Sequence, residues 1–316
     1  MHNIVFLDRD SLLAEVRRPA FVHHWSEYPA TGPAQVVERL RDASIAITNK
    51  VRLDAADIAA LPKLRMVAIC ATGTDNVDLE ACRARSIVVA NIRNYSLVSV
   101  PEHVFALILA LRRQLRAYMA DVDAGRWQLS SRFCLLEHPI SDLGGSRLGI
   151  VGYGALGRKV AALGRAFGME VAVTTRTPLG AADSGLVPMQ LDQLLASCDV
   201  VSLHLPLTEQ TRKLIGAAEL ATMKRSALLI NTARGGLVDE AALAQALRQG
   251  VIGGAGFDVL SQEPPVAGNP LLTLQLPNFI LTPHVAWASA GAMQNLADRL
   301  IDNIEAFNIG QAINSL

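Results

Sequence analysis

The sequence predicts an α/β fold of two doubly wound, parallel-sheet, Rossmann-like domains with a cleft between them. Three observations carry this. The chain has 316 residues, which at roughly 150 residues per domain is about two domains, each able to bury its own core. Short β-branched apolar runs alternate with amphipathic segments in two successive series, the pattern of parallel strands joined by helical crossovers. One of those runs leads straight into a glycine-rich turn, Gly152-x-Gly154-x-x-Gly157.

The first series places strands at residues 4–7, 44–48, 65–70 and 87–90, with helical patterns at 36–41 and 78–85. Ser99-x-x-Glu102 reads as a capping box, with Pro101 tolerated in the first turn, opening a long apolar helix through about residue 115. That helix is expected to cross between domains. The second series begins at Arg147, with strands at 148–151, 170–174, 199–203, 227–231, 254–258 and 279–281. A last helix over 289–307 has no strand after it, so it is expected to return to the first domain. The expected division is therefore residues 1–98 with 288–316, and residues 99–287.

Composition excludes several classes. Lys plus Arg and Asp plus Glu are 29 each, so there is no net field to attract nucleic acid or an anionic membrane. With 51% hydrophobic and 18% charged residues the chain is globular rather than disordered. No apolar run approaches the roughly 18 residues of a membrane span, and the opening MHNIVFLDRD has no basic leader, which points to the cytoplasm. Cys70, Cys82, Cys134 and Cys198 are scattered, and His23-His24 has no matching ligands nearby, so neither a disulfide framework nor a metal is expected.

The chemistry concentrates in the second series. Gly152 permits a tight turn, Gly154 lets the backbone approach a pyrophosphate, and Gly157 lets helix and strand pack, while the helix start offers free N–H groups to an anion. The end of the next strand lacks the carboxylate that would hold a ribose 2′-hydroxyl. Thr175 stands in its place and Arg176 follows, which suits a 2′-phosphate, the alternative being a solvated arginine. Three further strand-end segments, Asn231-Thr232-Ala233-Arg234-Gly235-Gly236, Phe257-Asp258-Val259 through Glu263-Pro264-Pro265, and Thr282-Pro283-His284-Val285-Ala286-Trp287, open toward the same crevice. Arg234, Glu263 and His284 can therefore converge. Taken singly, each also reads as a surface charge, a loop carboxylate and a structural histidine. Glu102 and His103 read as packing or capping groups.

NTARGGLVDE, FDVLSQEPP, TPHVAWAS and the earlier ATGTDNVDLEACRARSIVVAN together resemble the D-isomer-specific 2-hydroxyacid dehydrogenase family over nearly the whole chain, in the glycerate dehydrogenase or hydroxypyruvate and glyoxylate reductase branch. The resemblance implies hydride transfer between NAD(P)H and a small 2-keto acid. It implies that Arg234 holds the substrate carboxylate and polarises the carbonyl, that His284 is the acid/base group, and that Glu263 is its carboxylate partner. Thr72 and Gly73 align with the loop whose amides take the substrate carboxylate. For the cofactor it implies Ala155 and Leu156 at the phosphates, Leu205 and Pro206 beside the adenine, Thr232, Ala233 and Arg234 under the nicotinamide, and Asp258 near its carboxamide. It also implies a homodimer, to which Trp127 is expected to contribute.

The combined expectation is an NADP-preferring reductase of hydroxypyruvate or glyoxylate. Alternatives are a 3-phosphoglycerate dehydrogenase, a phosphite dehydrogenase, or a dinucleotide-sensing corepressor of the same family. Arg93 is ambiguous: it suits a substrate with a distal anionic group, or it is a surface cation.

Overall fold

The computed structural model describes residues 1–180 and 183–316. The chain divides into two units, Met1–Ser96 with Ala288–Leu316, and Leu97–Trp287. Among the described residues they hold sheets of five and seven strands, and every strand pair is parallel.

The first unit contains β1 (His2–Phe6), β2 (His23–Glu27), β3 (Ile45–Thr48), β4 (Met66–Ile69) and β5 (Val88–Ala90), in the order β2-β1-β3-β4-β5. Strands β3 and β4 are buried along their whole length because helices cover both faces of a parallel sheet, which is why their sequences are unbroken apolar runs rather than alternating ones. Helices α1 (Val36–Leu40), α2 (Ala55–Ala59) and α3 (Leu79–Ala84) connect them. Asp54 starts α2 by accepting from the amides of Ala56 and Asp57, and Asp78 starts α3 by accepting from that of Ala81. The long C-terminal helix α10 (Ala290–Asn308) belongs to this unit and packs against β4.

The second unit opens with α4 (Ser99–Arg112) and α5 (Leu115–Asp123). Its strands are β6 (Arg147–Val151), β7 (Glu170–Thr174), β8 (Leu186–Pro188), β9 (Val200–Leu203), β10 (Leu228–Asn231), β11 (Gly254–Phe257) and β12 (Phe279–Leu281). They run in the order β12-β11-β10-β9-β6-β7-β8, so the direction of winding reverses between β6 and β9. Helices α6 (Ala155–Ala166), α7 (Leu191–Ser197), α8 (Ala217–Thr222) and α9 (Glu240–Gln249) make the crossovers.

Register places the site. Val151 pairs with Thr174 and Leu203, Leu203 with Asn231, Asn231 with Phe257, and Phe257 with Leu281. The next residues, Gly152, Thr175, His204, Thr232, Asp258 and Thr282, therefore leave the sheet along one edge, the carboxyl edge where open α/β sheets take ligands.

Three details differ from the sequence reading. β2 and β8 were not expected: both are edge strands, and the polar HHWSE and the three-residue LVP carry little apolar periodicity. The capping box does not form, since Val98 is the N-cap of α4 with no side-chain cap and the Ser99 hydroxyl instead donates to the Trp287 carbonyl. The long helix also breaks at Gln114, whose φ of +53° turns the chain into α5.

Candidate active site

Gly152 follows β6 with φ +97°, a left-handed conformation that glycine adopts without a steric penalty. A Cβ there would lie 2.6 Å from the His204 carbonyl oxygen, so the glycine lets the ends of β6 and β9 close on each other at the point where winding reverses. A Cβ on Gly157 would lie 2.3 Å from the Gly152 carbonyl oxygen, which fixes α6 tightly against the turn. Gly154, the N-cap of α6, faces open space, and no side chain caps the helix. The first amides of α6, including those of Ala155 and Leu156, are thus left for an anion.

At the end of β10, Asn231 folds its own loop. Its buried side chain donates to the Arg234 carbonyl at 2.9 Å and accepts from the Ala233 amide at 3.1 Å. The guanidinium of Arg234 donates to the Ala233 carbonyl at 2.7 Å. Gly235 comes next, and a Cβ on it would sit 2.0 Å from the Leu260 carbonyl carbon, so only glycine allows this loop to cross the loop after β11. That second loop is anchored by Glu240, at the start of α9, which accepts from the Ser261 amide and hydroxyl and from Asn269. The Thr232 hydroxyl is buried with no hydrogen-bond partner among the described residues.

Glu263 and His284 meet. Glu263 accepts from the Leu260 amide at 2.8 Å through Oε1, while its Oε2 lies 2.5 Å from His284 Nδ1. With Nδ1 held by the carboxylate, Nε2 is the nitrogen left to exchange a proton. His284 has φ +57°, an uncommon left-handed conformation for a residue with a side chain, of the kind that gathers at functional sites. Asp258, 1% exposed, accepts from Thr282 Oγ1, the Val285 amide and the Ala286 amide. Trp287 donates its indole N–H to the His284 carbonyl at 3.1 Å.

The remaining expected residues lie as follows. Thr175 follows β7 and accepts from the Thr177 amide, and Arg176 is exposed with no partner among the described residues. Nearby Arg158 is engaged, lying 4.4 Å over the Tyr153 ring and pairing with Asp183. Leu205 is half-buried and Pro206 exposed beyond β9. In the first unit, the Thr72 hydroxyl donates to the Ile92 carbonyl and the Thr72 carbonyl accepts from Asn91, while the amides of Thr72 and Gly73 donate to no protein acceptor among the described residues. Arg93 is exposed and donates to Asn91 at 3.3 Å. His103, expected to pack or cap, instead makes a polar contact with Thr282. Sequence reasoning missed Asn231, Glu240 and the loop-binding role of Asp258; the usable signal was their place at a strand end or helix start beside a glycine-rich crossing. Burial pushes His204 down to about 4, and its Nε2 lies 2.9 Å from the Ser202 hydroxyl.

Comparison with known proteins agrees with this edge. The family profile described as D-isomer specific 2-hydroxyacid dehydrogenase, NAD binding domain, matches residues 105–286. A glycerate dehydrogenase from Methylorubrum extorquens is 53% identical over 98% of both chains, and a putative 2-hydroxyacid dehydrogenase from Haemophilus influenzae is 44% identical over 96% of this chain and 97% of that one. The crystal structure of an NADPH-dependent glyoxylate/hydroxypyruvate reductase from Sinorhizobium meliloti, in complex with NADP and malonate, superposes with a TM-score of 0.85 at 31% identity, over 100% of this chain and 96% of that one. The chain belongs to the D-isomer-specific 2-hydroxyacid dehydrogenase family, in its glycerate dehydrogenase and hydroxypyruvate reductase branch. It is an oxidoreductase with a nicotinamide dinucleotide cofactor. The open face at Gly154 and, among the described residues, the uncapped α6 and the unpartnered Thr232 hydroxyl fit that group.

Proposed function

We propose that this protein reduces a small 2-keto acid, hydroxypyruvate or glyoxylate, to the D-2-hydroxy acid, preferring NADPH to NADH. The observation that carries the reading is the Glu263–His284 pair at 2.5 Å, since a carboxylate on one ring nitrogen orients the imidazole and leaves the other nitrogen to exchange a proton. When bound, the nicotinamide ring supplies the hydride. His284 gives its proton to the carbonyl oxygen of the substrate and takes it back in the oxidation direction. Arg234 offers a planar two-pronged cation to the carboxylate and carbonyl oxygens of a 2-keto acid, and the amides of Thr72 and Gly73 serve as substrate-carboxylate donors. In this reading residues 1–98 with 288–316 bind substrate and residues 99–287 bind the dinucleotide. Gly152, Gly154, Ala155, Leu156 and Gly157 hold the pyrophosphate, Leu205 and Pro206 flank the adenine, and Thr232, Ala233 and Asp258 lie toward the nicotinamide.

The preference for NADPH rests on the β7 terminus, where Thr175 presents a hydroxyl, Arg176 an exposed cation, and no carboxylate follows directly. A homodimer in the cytoplasm completes the reading. Its support is the apolar surface of α5 and the segment after it, where Met119, Trp127, Leu129, Phe133 and Leu136 are all exposed, Phe133 at 91%.

Steady-state kinetics with both cofactors and a panel of 2-keto acids, 3-phosphohydroxypyruvate included, tests the reading. A charged hydrogen bond contributes about 1.5 to 3 kcal/mol, so NADPH should be favoured roughly ten- to hundredfold in kcat/KM, and Thr175→Asp should reverse the order. Equal use of NADH by the parent protein would overturn the preference. Failure on every keto acid would overturn the enzyme assignment in favour of a dinucleotide-sensing binding protein.

A further inference from the structure

We propose that His103, on α4, is a positioning residue for His284, acting through Thr282 and Asp258. The inference rests on the proton-transfer role proposed for His284. The backbone around His284 is pinned from both sides by one residue: the His284 amide donates to the Asp258 carbonyl at 2.8 Å, while the amides of Val285 and Ala286 donate to the Asp258 carboxylate at 2.9 and 2.8 Å. Left-handed backbone is strained for a residue with a Cβ, so the turn at His284, φ +57°, needs that clamp.

The donors and acceptors behind the clamp can be assigned by inventory. A carboxylate only accepts, and a threonine hydroxyl has one proton. Thr282 Oγ1 lies 2.5 Å from Asp258 Oδ1, 3.3 Å from the Phe257 carbonyl oxygen and 2.9 Å from His103 Nε2. If the Thr282 proton pointed at His103, two unshared oxygen lone pairs would face each other at 2.5 Å. The proton therefore lies on the Asp258 side, and His103 Nε2 carries a hydrogen that it donates to Thr282. Without that donation the hydroxyl is free to turn to the Phe257 carbonyl, and Asp258 Oδ1 loses a donor. His103 thus closes a one-way chain, His103 to Thr282 to Asp258, whose end sets the direction of the catalytic imidazole. His103 Nε2 also lies 3.6 Å from Asp258 Oδ1, beyond hydrogen-bond distance, so Thr282 is the link.

A double-mutant cycle on the full-length protein tests this, with His103→Leu, Thr282→Val and the double variant compared by kcat, the pH profile of keto-acid reduction, and NADPH binding followed by fluorescence. One hydrogen bond in the chain predicts a drop of about three- to tenfold in kcat for His103→Leu, a moved pH profile, and NADPH binding within twofold of the parent. The double variant should be no worse than Thr282→Val alone, because the two act as a unit. His103→Gln, which presents an N–H at the place of Nε2, should restore most of the rate. Should His103→Leu fail to fold, Thr282→Ser against Thr282→Val gives the same contrast, with the hydroxyl kept in one. Additive losses, or a parental pH profile in His103→Leu, overturn the relay. Parental kcat in His284→Asn would instead overturn the proton-transfer role, so the two failures are distinguishable.

Discussion

The two sheets reverse their winding at two comparable places, and the molecule treats them oppositely. In the seven-stranded unit the reversal lies between β6 and β9, where Gly152 keeps the turn free of side chain and Gly154 opens to solvent. In the five-stranded unit it lies between β1 and β3, and there a side chain fills it: Asp8, 6% exposed, accepts from the amides of Asn49, Lys50 and Val51. Both crevices present backbone N–H groups to an anion. One anion is built in, and the other has to be supplied. A single topological rule thus yields a ligand crevice in one unit and a structural plug in the other, and one residue after the first strand separates the outcomes.

The proposed chemistry divides along the same line. Arg234, Glu263 and His284 all stand on strand-end loops of the seven-stranded unit, whereas the Thr72 loop of the other unit offers amides. The largest expected effect tests that division: His284→Asn should lower kcat by about 10²- to 10⁴-fold while NADPH binding, measured by fluorescence, stays near the parent value. Near-parental turnover would move the proton chemistry elsewhere.

Gly154→Val comes next. A Cβ there meets nothing within 4 Å, so thermal unfolding of the apoprotein should be nearly unchanged while the dinucleotide Kd rises by roughly tenfold or more, about 1.4 kcal/mol. Asp8→Asn should behave in the opposite way. Its amide brings donors to face three backbone donors, so chemical denaturation should report a loss of about 1 to 3 kcal/mol, with dinucleotide affinity held. If the two variants exchanged phenotypes, the contrast between open and plugged crevices would be broken.

The smallest effects concern the thiols. Burial pushes Cys82 and Cys198 up to about 11 and Cys70 higher still, and the thiolate is the reactive form. Iodoacetamide at pH 8 should therefore label Cys134, the half-buried one, before any of the others. Mass spectrometry reads the order, and early modification of Cys198 would mean that the seven-stranded core opens more readily than the five-stranded one.

Most of the seven-stranded unit was legible in the sequence because buried parallel strands are unbroken apolar runs and each ends on a loop with unusual residues. Glu263 and His284 could be paired on paper only through family likeness, since 21 positions separate them and spacing says nothing about loops that meet through register. Ser99 shows the converse: its spacing to Glu102 satisfied a local rule, yet the hydroxyl found the Trp287 carbonyl instead. His103 reads as a packing or capping group for the same reason, because its partner lies 179 residues away. The edge strands β2 and β8 escaped notice because an edge needs little apolar periodicity. Asp8 carries no motif at all, and only the parallel pairing of β1 with β3 brings it to Asn49.

The return of α10 to the five-stranded sheet has a consequence for synthesis. Leu316 donates its amide to the Val89 carbonyl, and Ser315 bridges Ala90, so residues 288–316 complete the unit that residues 1–96 start. Roughly 190 residues intervene, which at about 5 to 20 residues per second is about 10 to 40 s of translation. For that interval the face of β4 that α10 covers has no native partner, and by its end the inserted unit has all of its strands. The ribosome therefore delivers the later unit as a finished body and leaves the earlier one waiting for its final helix, reversing the usual amino-to-carboxyl order of domain folding.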